Sequence, residues 1–570
     1  MIYCNSKLGN IVIKALILTW ISFISISPTL FCQDLTTIKS ASPVKVTGSF
    51  YSAFNYTFSD ASIPPAGFNT GINVNFNFYN AINIPLSFAY SNYGSSVNTI
   101  SFNRFGISPS YKSLKIHAGH RSYVLSPYLM SGLTVLGGGI ELNPKKFYFL
   151  AFYGKVNDPY FVGNDVLTLR NDGFDFFNRK AYGFKLGFGK STNRIGIALF
   201  HAKDDLLTGS IDTLAKYNIN GKENVGIGLD LTQQFFKIVT LSGNAAVSIL
   251  TNDLNGEAIR DSNATQWVER VSFLTTINQS SRYSFAYDGK ISFKIKTFNL
   301  GVKYQHIDPF YSSLGISYLQ TNFDNYLMDI NGSLFKSKLN LSSNFGLQYV
   351  NKSGFTGLPQ KRIVANVNTN VNFTKELNLN VNYSNLVQNT NPTIQELNDS
   401  LLFTTNNVGW NGTLSYKIGK GKEKPHIVSF NSSNTTFDVL NNDQITLSSV
   451  NTNYNLNYRY QIKNGWSFGG GIQYFVSENN LSPSLKRKGF LLNVGKKISE
   501  SLNFRVNTSF RSNETQANKD GYIINGNVSL TYQIKKKHNF SLNTSQLIRK
   551  TTLIAAKNET RFRVNYNYNF

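Results

Sequence analysis

The chain has 570 residues and a formal charge of +25, and 14% of it is aromatic, with 31 Tyr and 44 Phe. That aromatic load excludes disorder, and the absence of any helix-length apolar run after the first thirty residues excludes a helical membrane protein. Large positive charge would suggest nucleic acid in a cytosolic chain, but the N-terminus directs this one elsewhere.

Lys7 and Lys14 precede the apolar run from Ala15 to Ile26, a basic and then a greasy segment too short to span a membrane well. This predicts a secretory signal peptide over residues 1–33, with cleavage near Cys32-Gln33 and the mature domain over 34–570. Cys32 raises a lipoprotein reading, which Phe31 opposes because a small residue normally precedes a lipidated cysteine. Cys4 and Cys32 are the two cysteines, so the mature chain is expected to hold no thiol or disulfide.

From Val44 onward the period is two. Ile72, Val74, Phe76 and Phe78 alternate with Asn73, Asn75 and Asn77, which is a half-wet strand. A first strand at Val44 leaves no room for an N-terminal plug of the TonB-dependent kind, despite Val46-Thr47-Gly48. His117 and His120 look like a metal pair, but three residues apart in a strand they point to opposite faces, so no metal is expected. Gly187-Phe188-Gly189-Lys190-Ser191-Thr192 resembles a phosphate loop, yet Phe184 stands where its first glycine belongs. A hairpin turn between Tyr182–Phe188 and Arg194–Phe200 explains it. Asp158, Asn164, Asp165, Asn171, Asp172 and Asp175 match no calcium motif and read as a solvated loop.

Further on, Ile363, Ala365, Val367, Val371 and Phe373 oppose Asn366, Asn368, Asn370 and Asn372. After a polar turn at Lys375-Glu376, Leu377, Leu379, Val381 and Tyr383 oppose Asn378, Asn380 and Asn382. Asn331-Gly332, Asn411-Gly412, Asn464-Gly465 and Asn525-Gly526 are hairpin-turn signals, some of which fall inside strands. The chain ends RFRVNYNYNF, with Phe562, Val564, Tyr566, Tyr568 and Phe570 on one face. It resembles the closing strand of bacterial outer-membrane barrels, and Tyr566, Tyr568 and Phe570 resemble the C-terminal signal read by the barrel-assembly machinery.

A more specific likeness lies in Phe102–Val156: an FNRFG-SP segment, a GHR strand, an SPY-x-x-SG turn, a GGG-x-E-LNP strand and a closing YG. This block resembles a family of large outer-membrane barrels of the Bacteroidota phylum, covers the first third of the chain, and implies location and fold but no activity. Physically, Gly132 and Gly137-Gly138-Gly139 would let something pack against the inside of the wall or let the wall bend. Arg104, Arg121 and Glu141 would be inward charges able to pair across strands.

Together these readings predict an all-β, transmembrane, antiparallel up-and-down β-barrel of about 26 strands, within roughly 22–28, at about 20 residues per strand and turn. Long connections at Asn157–Arg179, Asp204–Glu223, Asn252–Ala264, Gln388–Asn406 and Ser512–Asp520 are expected outside the cell. The basic excess is explained first by contact with headgroups and lipopolysaccharide, and otherwise by a lumen that attracts anions.

Six histidines in no catalytic setting give no enzyme reading, no catalytic residue and no cofactor. Two functions remain. One is a porin-like or transport channel for polar or anionic solutes, lined by Asn366, Asn368, Asn370, Asn372, Asn378, Asn380, Asn382, Arg104, Arg121 and Glu141. The other is a non-enzymatic structural barrel within an envelope complex, occluded by a partner or by loops such as Asn157–Arg179 and Gln388–Asn406. The expected partners are outer-membrane lipid, lipopolysaccharide, the barrel-assembly machinery and such a plugging protein, with no nucleic acid.

Overall fold

Side chains of an extended chain alternate sides, so a stretch apolar at every second residue buries or exposes one whole face at a time. The computed structural model describes residues 42–59, 66–92, 104–157, 177–206, 220–259, 272–316, 318–350, 360–390, 403–419, 426–441, 444–462, 465–515, 518–551 and 557–570. In it each alternating stretch is a strand paired antiparallel with the next, beginning at Val44–Phe58 and ending at Lys557–Asn569. These two terminal strands also pair with each other, from Ser49 opposite Asn569 to Phe58 opposite Thr560.

The sheet is therefore closed. Its 27 segments include Arg104–Ile107 and Ser110–Tyr111, two pieces of one broken strand that both pair with Leu114–Ser122, so the barrel has 26 strands. Closure leaves no row of unpaired N–H and C=O groups, which hydrocarbon would not tolerate.

The pairing register carries each face unbroken around the ring. Phe54, Phe88, Phe105, Val302, Ile363, Ile472 and Val564 point outward and are exposed, a greasy exterior that makes sense only against lipid, and the protein is a multi-pass β-barrel of the outer membrane. Val367 and Val381 share that face. Asn368 and Asn382 lie opposite each other on the inner one. Val367→Arg or Val381→Arg should then cost about 2–4 kcal/mol of folding stability near mid-membrane, whereas Asn368→Arg is tolerated. Denaturant unfolding of the reconstituted barrel reads this, and the reverse ranking would put the register off by one residue.

One rim consists of short turns. Consecutive residues with positive φ make several of them: Tyr79 (49°) with Asn80 (53°), Phe236 (50°) with Lys237 (58°), and Lys535 (48°) with Lys536 (59°). Two such residues in a row are what a type I′ hairpin requires. The Asn-Gly pairs do something else. Asn331-Gly332, Asn411-Gly412 and Asn525-Gly526 lie inside strands; Gly465 sits in a turn with φ 78°, and Asn464 is outside the described residues. The turn between Lys190 and Asn193 and the one between Asn372 and Leu377 fall as expected.

Lysines and aromatics crowd this rim, for instance Lys496 over the Trp466 ring at 4.7 Å, an arrangement suited to a membrane interface. Four of the predicted long connections leave from the opposite rim; the fifth, Ser512–Asp520, is no long connection, because its strands continue to Thr515 and from Asn518 with Glu514 opposite Lys519. Most of the length of the four lies outside the described residues, as do the acidic positions Asp158, Asn164, Asp165, Asn171, Asp172 and Asp175 and the N-terminal segment with Cys32.

Candidate functional site: a shelved, cation-lined lumen

The inner face differs sharply between the two halves of the wall. Along the strands from Phe147 to Ile307 it carries a patch of small apolar side chains, with Ala181, Ala198, Ala202, Ala246 and Ala286 buried, among paired charges. Two connecting segments use that space. Residues 123–133 turn inward at Ser126, whose carbonyl accepts from Leu129 and Met130 N–H at 3.3 Å each. Residues 308–322 follow, and Met130-Ser131 pairs in parallel with Gly315-Ile316.

Together they form a shelf against the wall. Leu125, Leu129 and Met130 are fully buried there among Phe152, Phe200 and Ile307. Gly183 and Gly228 leave the room, since a Cβ would stand 2.6 Å from Leu125 and 2.9 Å from Leu129 respectively. Tyr123 stacks on Phe152 with centroids 4.6 Å apart, beneath it the glycine run, where a Cβ on Gly139 would strike the Tyr123 hydroxyl at 2.6 Å. This fulfils the expectation that Gly137-Gly138-Gly139 lets something pack on the inside.

Polar bonds fix the shelf at both ends. Tyr128 donates to Asp288 at 2.6 Å and accepts from Gln305 at 3.0 Å. Tyr311 donates to the Tyr128 carbonyl at 2.7 Å, and Ser313 to the Leu129 carbonyl at 2.5 Å. Lys185 reaches both the Leu125 carbonyl, 2.8 Å, and Asp230, 2.6 Å. Burial and the neighbouring Asp288 carboxylate hold the Tyr128 phenol well above the ordinary tyrosine range, so it stays a donor.

Inward carboxylates in this half are matched by cations. Arg179 grips Asp204 at 2.8 and 3.1 Å with both buried, and Lys290 meets Asp329 at 2.7 Å.

Beside the shelf opens a cavity of about 540 Å³ whose lining includes Arg104, Lys115, Arg121, His117, Glu141 and Tyr123. The sequence suggested pairing of Glu141 with Arg104 or Arg121. Instead Glu141 faces His117 at 3.5 Å, and His117 bonds Ser108 at 2.9 Å through its other nitrogen. Ser108 is fully buried, so this linkage braces the wall and presents no hydroxyl to the lumen. His120 sits on the other face against Phe105, as the alternation required, and among the described residues no cluster of metal-ligating side chains occurs.

The remaining wall carries the predicted asparagines. Asn366, Asn368, Asn370 and Asn372 stand opposite Ser384, Asn382, Asn380 and Asn378. Asn378 donates to Asn372 at 2.8 Å, Asn382 to Asn380 at 2.7 Å, and Asn368 bonds Asn382. Farther round, the inner face turns basic. Register places Arg459, Arg487, Arg505, Arg511, Arg549, Arg561 and Arg563 on it, running from one rim toward the other.

Sequence reasoning missed this arginine stripe and the 308–322 segment. Strand alternation in RFRVNYNYNF already put Arg561 and Arg563 inward, so the stripe was readable by extending the same count. The closing strand carries Tyr566, Tyr568 and Phe570 on the lipid face: Tyr566 stacks with Phe540 at 4.4 Å, Tyr568 with His538 at 4.4 Å, and Phe570 N–H donates to the Gly48 carbonyl at 3.0 Å.

No protein-family model matches this sequence, and no curated relative does. Among solved structures, OccAB2 of Acinetobacter baumannii aligns at 11% identity over 62% of this chain and 92% of that one, TM-score 0.30. An anion-selective porin from Comamonas acidovorans aligns at 11% over 51% and 93%, TM-score 0.29. A point mutant of the ferric enterobactin receptor PfeA of Pseudomonas aeruginosa aligns at 8% over 92% and 80%, TM-score 0.40. These are outer-membrane barrels, and the likeness extends to architecture only.

Proposed function

We propose that this barrel is a porin-like channel whose solutes are anionic. The observation that supports this reading is the inner arginine stripe, which has few carboxylates beside it and follows a wall of neutral asparagine amides around the ring. Guanidinium groups on a water-filled wall raise the local anion concentration and repel cations. The lumen cavity with Arg104, Lys115 and Arg121 adds to the same field.

The test is the zero-current potential of the purified barrel in a planar bilayer under a potassium chloride gradient. A potential of the sign set by chloride is expected, and it should shrink in Arg505→Gln and Arg563→Gln. A cation-selective pore would overturn the reading. The shelf favours a second reading, a barrel narrowed or closed from within that serves an envelope assembly. Co-purification of a stoichiometric partner in mild detergent, together with no measurable current, would favour it.

A further inference from the structure

Register brings three inward arginines to one patch near the long-loop rim of the lumen. Arg511 stands opposite Gly489 on one neighbour and Ile523 on the other, and Arg549 stands opposite Ile523, so the two lie in one cross-strand row, about 10 Å apart at the backbone. Arg487 stands one inward position away on the strand Leu485–Lys497.

Such a cluster repels itself. In the half of the wall that carries the shelf, inward cations are answered by carboxylates, as Arg179 is by Asp204 and Lys290 by Asp329; here the nearby acids are engaged elsewhere. Glu514 is held by Lys488 at 3.1 Å, Asp520 accepts from Thr515 at 3.0 Å, and Glu559 bonds Arg561. Among the described residues, no carboxylate pairs with any of the three arginines.

Local packing nevertheless keeps the cations in place. Arg511 lies across Gly489, where a Cβ would come within 3.0 Å of its Cγ, and donates to Gln473 at 3.0 Å. Arg487 rests over the Phe475 ring at 5.3 Å. It does this instead of bonding Asn513, the residue opposite, and its buried Nε has no partner while Asn513 Oδ1 has none either. Cations that are positioned, mutually repelling and unanswered are what a missing anion would complete.

We infer that Arg487, Arg511 and Arg549 form a binding site for a phosphate-class oxyanion, free or as an ester, on the lumen wall. The planar forks of arginine match tetrahedral oxyanions two oxygens at a time, and a bound dianion removes the repulsion among them. The site rests on the anion-channel reading and gives that channel a preferred solute.

The experiment measures equilibrium binding of inorganic phosphate to the full-length barrel in detergent at about 0.1 M ionic strength, where charges screen over about 10 Å, by titration calorimetry, with no current involved. Arg511→Gln and Arg549→Gln should each weaken binding about tenfold or more, the loss of one charge-assisted contact. Arg511→Lys should recover part of it, because the charge returns without the fork. Arg505→Gln, far down the stripe, should leave it within about twofold.

Heat-modifiable migration verifies that each variant is folded. Equal weakening by Arg505→Gln would mean diffuse attraction and would overturn the site, as would phosphate binding indifferent to both Arg511→Gln and Arg549→Gln or absent from the intact barrel. Phosphate binding that depends on Arg511 in a barrel that is not anion-selective would keep the site and sink the channel reading.

Discussion

Replacing Tyr568 and Phe570 together with serine is expected to leave little folded, heat-modifiable barrel in the outer membrane. The closing strand Lys557–Asn569 is hydrogen-bonded on both sides, to His538–Lys550 and to Val44–Phe58. If it fails to dock, two strand edges face hydrocarbon, and each unpaired backbone group there costs several kcal/mol. The two aromatics act at the docking end. Tyr568 stacks on His538 and meets Phe570, whose backbone exchanges two bonds of 3.0 Å with Gly48. Serine at both positions removes the stacking and the lipid-facing surface there while leaving Phe562, Val564 and Tyr566 on the lipid face. Deleting Phe570 alone should act in the same direction through the lost Gly48 pairing. Wild-type amounts of folded barrel in the double variant would show that neither closure nor recognition by the assembly machinery depends on these rings.

The barrel was legible in the sequence because its information is periodic. A strand with lipid on one side and water on the other must alternate, so Val44 as first residue, the Asn rows at Asn366–Asn372 and Asn378–Asn382, and the RFRVNYNYNF terminus could all be placed on faces before any coordinates. Turns were less legible. Many residues that adopt positive φ, Tyr79, Phe236, Lys237 and Lys535 among them, are types that tolerate the conformation at a cost but do not announce it. Three of the four Asn-Gly pairs, which announce it, went into strand interiors.

The shelf was half legible. Gly132 and Gly137-Gly138-Gly139 pointed to something packing inside the wall or to a bend in it, without naming residues 123–133, and the partner segment, 308–322, carries no repeat and no alternation. A subtler signal existed across the wall: inner positions occupied by alanine at 181, 198, 202, 246 and 286, where a wet lumen would carry asparagine. Small apolar side chains on the wet side of a strand mean that something covers them. The sequence also proposed Asn157–Arg179 and Gln388–Asn406 as occluding loops; their central residues lie outside the described set, and the inward packing observed comes from the other two segments.

Conductance is where the shelf should show its effect. A barrel of about 22 strands usually needs a plug, and circumference grows with strand number, so one of 26 strands with a bare lumen would pass solutes freely. The intact protein is therefore expected to show a steady conductance small for its circumference. Replacing residues 124–132 by a short Gly-Ser linker removes Leu125, Leu129 and Met130 from their pockets and strands Tyr311 and Ser313 without their carbonyl acceptors. Truncating one buried leucine alone costs about 2–5 kcal/mol, so the 308–322 segment should not hold its place by itself. Conductance should rise several-fold in planar bilayers, and the barrel should stay folded because its hydrogen-bonded ring does not pass through the shelf. A milder variant, Leu129→Asp, places a charge among Phe200, Ala246 and Ile307 and should loosen the shelf while preserving the chain length. If both variants conduct like the parent, the shelf is a brace lying along the wall and the constriction lies elsewhere; if the intact protein already conducts at the level of an open lumen, the shelf does not narrow the channel at all.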